Sequence, residues 1–215
     1  MKSYYLRLAV LLVVSLLAKA GFAAEMVKYE PRPGAKLTID GDSTVHKWSV
    51  KSQIIKGTME LGFDPQKPTP GKVPAKVEVS IPVRSIRSDK KAMDDIMHET
   101  LKMDTVPNIT YRLTELTLKE APKSPTAPLL FDSKGELGVA GVTNQITMPV
   151  TMERLEGDKL KTSGTAQLKM TSFKMNPPAP KVALGLISTS DDVLVTFEWL
   201  TQKAGAATAS AAKSQ

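Results

Sequence analysis

The feature that most constrains this chain is an alternation of apolar and polar residues with period two, recurring along most of its length. Met59, Leu61 and Phe63 alternate with Thr58, Glu60 and Gly62, and Val77, Val79, Ile81 and Val83 alternate with Lys76, Glu78, Ser80 and Pro82. The pattern returns at Ile109, Tyr111 and Leu113, shifts, and continues through Leu116 and Leu118. It recurs at Ile146–Met152, Leu160–Met170 and Val193–Trp199. Successive side chains of a strand point to opposite faces, so this alternation gives each strand one dry and one wet face. Such half-wet sheets are antiparallel. With shorter stretches near Leu37–Ile39, Trp48–Val50 and Leu137–Val139, the sequence predicts eight or nine strands, with turns at Gly141, Gly157-Asp158 and Asp191-Asp192. The expected fold class is all-β, mainly antiparallel.

One segment departs from this period. Between Ser88 and Asp104 the apolar residues Ala92, Met93, Ile96, Met97 and Leu101 fall three or four apart, which predicts an amphipathic helix with Ser88 or Asp89 as N-cap. Its methionine-bearing face is expected to cover one open end of the sheet structure, and Asp94 and Asp95 are expected on its solvated face. The Pro-rich stretches Asp64–Pro74 and Glu120–Pro128 read as exposed loops, and Asn176–Pro180 reads as a stiff connection before the last strand. The Ala/Ser-rich tail over residues 203–215 reads as disordered.

The N-terminus has its own logic. Lys2 and Arg7 precede an apolar run from Leu8 to Ala18, and Gly21 and Ala23 are small residues where a signal peptidase would read. Residues 1–23 are therefore expected to be a cleavable signal peptide, and 24–202 one barrel domain. The run falls short of the ~20 residues that span a bilayer as a helix, and no later segment is long and apolar enough. The chain has no Cys, which excludes disulfides, thiolate metal sites and a lipid-anchored cysteine after the apolar run. Removing Lys2, Arg7 and Lys19 from 29 basic residues leaves 26 against 22 acidic ones, a net charge of +4 spread along the chain. Diffuse charge of that size argues against a nucleic-acid face.

Catalytic signatures are missing from this reading. The two histidines, His46 and His98, stand in no zinc-binding spacing, and Asp40, Asp42 and Ser43 before His46 form no nucleophile elbow. There is no Gly-rich phosphate loop or dinucleotide fingerprint, so no cofactor is expected. A hydrolase or isomerase using His46 or His98 is the least favoured reading. A closed antiparallel sheet instead makes a barrel whose interior is either filled or open to one ligand. Met59, Met148, Met152, Gly164, Ala166 and Met170 on inward positions suit both. Periodicity identifies the dry face without saying whether it is filled.

Several segments, in order, resemble the YceI-like family. They are Asp42–Val50, Ile55–Met59, Val83–Ser88 leading into Met93–Leu101, Val106–Tyr111, Gly135–Thr143, Lys174–Pro178 and Asp192–Val195, which together span Lys36 to Trp199. Two departures stand out: Trp48 follows His46 where the family's commonest form puts tryptophan first, and Met93-Asp94-Asp95 stands where many relatives carry an arginine and an aspartate. The resemblance implies an extended, eight-stranded, lipocalin-like barrel with a long apolar pore, its one helix covering an end. It implies a periplasmic, non-enzymatic carrier of a polyisoprenoid, an isoprenoid quinone or a similar amphiphile. Strand parity then assigns the lining: Met59, Leu61, Val79, Tyr111, Leu137, Met148, Met170 and Phe197, with Met93, Ile96 and Met97 near the covered end. The alternative is a solidly packed exported barrel that serves as a structural or protein-interaction module. The expected partner is the lipid, and the barrel is expected to act either singly or as a homodimer.

Overall fold

A sheet of long alternating strands can bury one face by closing on itself, and this chain does so. The computed structural model describes residues 25–179 and 187–205. The expected signal peptide, Pro180 and residues 206–215 of the tail lie outside them. The elements are β1 (Val27–Pro31), β2 (Lys36–Ser43), β3 (Trp48–Ser52), β4 (Lys56–Leu61), β5 (Gly71–Lys72), β6 (Ala75–Pro82), α1 (Lys91–Thr100), β7 (Asn108–Leu118), β8 (Leu129–Val139), β9 (Val142–Leu155), β10 (Lys159–Lys169) and β11 (Thr189–Lys203).

Eight strands close a barrel in the order β1-β4-β6-β7-β8-β9-β10-β11, with β11 returning to β1. All the pairings are antiparallel. The last strand is long enough to serve two neighbours: Val193–Glu198 pair with β2, and Thr201–Lys203 pair with β1. At ~3.3 Å per residue its 15 residues span about 50 Å, which is why the barrel is extended. The Pro31-Arg32-Pro33-Gly34 stretch separates β1 from β2, since two prolines lack donors and Gly34 has φ of 110°. Gly57 opens β4 at φ 145°, where a Cβ would collide with the Glu78 carbonyl.

The shift inferred in β7 is a bulge between Leu113 and Glu115. The bulge turns Glu115 toward two lysines, Lys72 at 2.5 Å and Lys134 at 2.8 Å, and they hold its carboxyl down at about 2. The Gly141 turn is a two-residue hairpin with both Ala140 and Gly141 at positive φ, the geometry that matches strand twist.

Four expectations are corrected. Asp191-Asp192 is no turn: both lie inside β11, where Asp191 accepts from Thr171 N and Oγ1 and Asp192 meets Lys169 Nζ at 3.0 Å. The Asp64–Pro74 loop contains the short β5, which pairs with the end of β7. The helix is shorter than its apolar pattern, with Lys90 and not Ser88 or Asp89 at its N-cap. Finally, Asp94 is buried at 5% exposure, while Asp95 is exposed and pairs with Lys91. The strand β1, where Val27 and Tyr29 alternate with Lys28 and Glu30, is not among the expected strands, and the two residues of β5 are too few for a period to show.

Two apolar clusters occupy the interior. One, around Leu61, Leu118, Leu129, Phe131, Met152 and Trp199, fills the end where the loops 62–74 and 119–128 lie. There the Arg154 guanidinium donates to the carbonyls of Pro65 and Ala127, tying both loops over that end. The other cluster, around Val50, Val83, Ile86, Leu101, Val139 and Phe173, lies at the α1 end.

Candidate ligand-binding site

Between these clusters the lumen is open. A cavity of about 550 Å³ extends from Met152, Thr162 and Trp199 to Val45, His46, Met93 and Pro178. That volume falls in the range of small-molecule sites. Its wall is almost wholly apolar, drawn from the inward rows of β4 and β6 to β11, from β2 and β3, and from α1.

Three aromatic rings explain part of this openness. Trp48, Tyr111 and Phe197 all line the cavity, and each lies against a glycine of an adjoining strand: Gly41, Gly135 and Gly164. Gly41 and Trp48 are register partners, as are Gly164 and Phe197. A Cβ at any of the three glycines would overlap the ring. Without one, each ring packs directly over the glycine of the neighbouring strand.

The helix is anchored by its polar face. Asp94 accepts a hydrogen bond from Ser88 N at 2.6 Å and pairs with Arg87 at 3.7 Å. His98 Nε2 lies 2.9 Å from the Ile86 carbonyl, which can only accept, so Nε2 carries the proton. Arg87 in turn bridges to Lys51 in β3 through main-chain hydrogen bonds of 2.8 Å. Burial alone would raise the Asp94 carboxyl, but the Ser88 hydrogen bonds, Arg87 and His98 together hold it below the usual carboxylate range. With its polar side latched to the wall, α1 turns Met93, Ile96, Met97 and Thr100 to the cavity.

Polar groups in the wall are few. Tyr111 Oη and Ser133 Oγ satisfy each other at 2.7 Å, and burial pushes the phenol up despite that bond, so it stays neutral. Lys90, Lys169 and His46 stand at the α1 end. Ser43 Oγ donates to the main-chain carbonyl of His46 at 2.7 Å rather than to its ring, so no Ser-His pair is formed. Among the described residues no group of three His, Asp or Glu could hold a metal, and no helix is long and apolar enough to cross a membrane.

The structure places all eleven sequence-assigned residues on the cavity wall: Met59, Leu61, Val79, Met93, Ile96, Met97, Tyr111, Leu137, Met148, Met170 and Phe197. Sequence reasoning left out Phe131, Ser133, Thr162, Val195 and Trp199, which also line it. Val195 and Trp199 share the strand parity of Phe197, so extending each inward row would have found them. Thr162 lies in the inward row of β10 and carries no apolar signal.

The YceI-like domain family matches residues 34–199. No curated protein matches the chain. The fold is similar to that of Burkholderia cenocepacia BcnA, at 18% identity and a TM-score of 0.58, covering 77% of this chain and 95% of BcnA. It is also similar to a polyisoprenoid-binding domain from Saccharophagus degradans implicated in plant cell wall breakdown, at 14% identity and a TM-score of 0.60, covering 83% and 99%. A Campylobacter jejuni YceI protein aligns at 17% identity and a TM-score of 0.53, covering 72% and 84%.

Proposed function

This chain belongs to the YceI-like family, and on that premise we propose that it is a non-catalytic carrier that shelters a long-chain amphiphile in its barrel. The observation that carries the reading is the apolar cavity of about 550 Å³ in an otherwise closed barrel. A packed interaction module would gain nothing from an unfilled core, since a void forfeits the contacts its lining could make. A hydrocarbon entering it leaves water, which favours binding by roughly 25 cal/mol for each Å² of apolar surface buried. The flexible methionines Met59, Met93, Met97, Met148, Met152 and Met170 on the wall suit an irregular chain, because methionine adapts to varied apolar shapes. The polyisoprenoid-binding domain of the same fold supports an isoprenoid or related lipid as cargo.

Residues 1–23 would direct export and be removed, placing the carrier in the periplasm, where a long lipid crossing an aqueous space needs cover. The test is native mass spectrometry of the purified protein, followed by lipid extraction. A bound lipid in the barrel is the expected result. A bare-chain mass, with no uptake of added isoprenoid lipids, would count decisively against a carrier.

A further inference from the structure

Among the described residues four buried side-chain polar atoms have no hydrogen-bond partner, Arg32 Nε, Arg154 Nε, Thr162 Oγ1 and Trp199 Nε1, and the last two belong to residues that line the cavity. Trp199 is 3% exposed and Thr162 8%. They face each other across the β10–β11 ladder, and both line the cavity. Buried polar groups are nearly always paired, and a buried indole N–H normally finds an acceptor. The nearest cross-strand neighbour on the other side, Met152, offers none of consequence.

We propose that Trp199 and Thr162 form a head-group socket at the inner end of the cavity. It would receive a neutral oxygen of the cargo lipid: a ring carbonyl, ester, amide or alcohol. This rests on the carrier reading and adds the direction in which the lipid lies. The indole only donates, while the threonine hydroxyl donates or accepts. A carbonyl oxygen takes a hydrogen bond from both; an alcohol accepts from Trp199 and donates to Thr162. An anionic phosphate does not fit there, because a buried charge needs a counter-charge. Among the described residues the lysines of the wall are Lys90 and Lys169, and Arg154, on the inward face of β9 just beyond Met152, already donates to the Pro65 and Ala127 carbonyls. Lys169 is seven residues along β10 from Thr162, about 23 Å at ~3.3 Å per residue. The cargo therefore goes in head first, with its tail running toward α1.

The experiment uses the purified, delipidated full chain and displacement of an apolar fluorescent dye by three probes: a tetraprenyl benzoquinone, a tetraprenyl phosphate and the hydrocarbon squalene. The quinone should bind tightest. Trp199→Phe and Thr162→Val should each weaken it about five- to ten-fold, one neutral hydrogen bond, and weaken squalene clearly less. Thr162→Val should also raise the Tm of the lipid-free protein, because it removes a hydroxyl without a partner. If Trp199→Phe does not fold, Thr162→Val alone decides. Equal losses for quinone and squalene, no loss for either, or tightest binding of the phosphate would overturn the socket while leaving the carrier reading intact. Uptake of no probe by the unaltered protein would remove both.

Discussion

Replacing Gly164 by alanine tests why the barrel is open. A Cβ at this position would lie 2.7 Å from Phe197 Cε1, 2.9 Å from its Cζ and 2.9 Å from the Pro149 carbonyl oxygen. Favourable carbon contacts need 3.5–4.0 Å, so the ring must move by about 1 Å, and with the wall behind it the free direction is the lumen. Overpacking of this kind costs about 1–3 kcal/mol. Gly→Ala in ordinary extended backbone offsets about 0.4–1 kcal/mol by restricting the unfolded chain. The net is a loss of about 1–2 kcal/mol, or about 3–6 °C in Tm for a domain of this size. The displaced ring should also lower uptake of long-chain lipid. The assay is thermal unfolding and dye displacement in a double-mutant cycle with Phe197→Ala, which removes the ring. In that background Gly164→Ala should cost little. An unchanged Tm in the parent background, or the same loss with and without the ring, would refute the account and shift the blame to the Pro149 carbonyl.

The remaining predictions concern the latch, the closed end and acid. His98→Ala strands the Ile86 carbonyl and should cost about 1–3 kcal/mol, read by chemical denaturation and by faster hydrogen exchange in α1 than in β9. Arg154→Met should release both loops it holds, giving faster proteolysis within 62–74 and 119–128 with little change at the α1 end; unchanged cleavage would show that the loops hold themselves. Asp94 and Glu115 both have carboxyls lowered by folding, so their stabilisation is complete above the unfolded values near 4. It fades as pH falls through the folded ones, for Glu115 down to about 2. Hydrogen exchange in α1 should accordingly speed up as pH drops below about 4, and Asp94→Asn should flatten that response; an equal acid response in the variant would exclude Asp94 as its source.

Much of the wall was legible because side-chain parity is local. Once Met59 is inward, Leu61 is too, whatever surrounds them, and the same logic placed Val79, Tyr111, Met148 and Phe197. Asp94, Asp191 and Asp192 were misread for a common reason: charged residues are assigned to surfaces and turns until a partner is visible. Their partners, Ser88 and Arg87 for Asp94, Thr171 for Asp191 and Lys169 for Asp192, come from other elements.

By itself, then, the sequence determined most of the strands, though not β1 or β5, and the dry face of each. Only the tertiary structure decided that the barrel is open. Whether a lumen fills depends on which side chains from eight strands meet. Phe197 packs over the neighbouring strand because Gly164, more than thirty residues earlier in the chain, stands opposite it. The same register sets Trp199 across from Thr162 with neither polar atom hydrogen-bonded. Period two is a property of one strand, and an unfilled space belongs to all of them together.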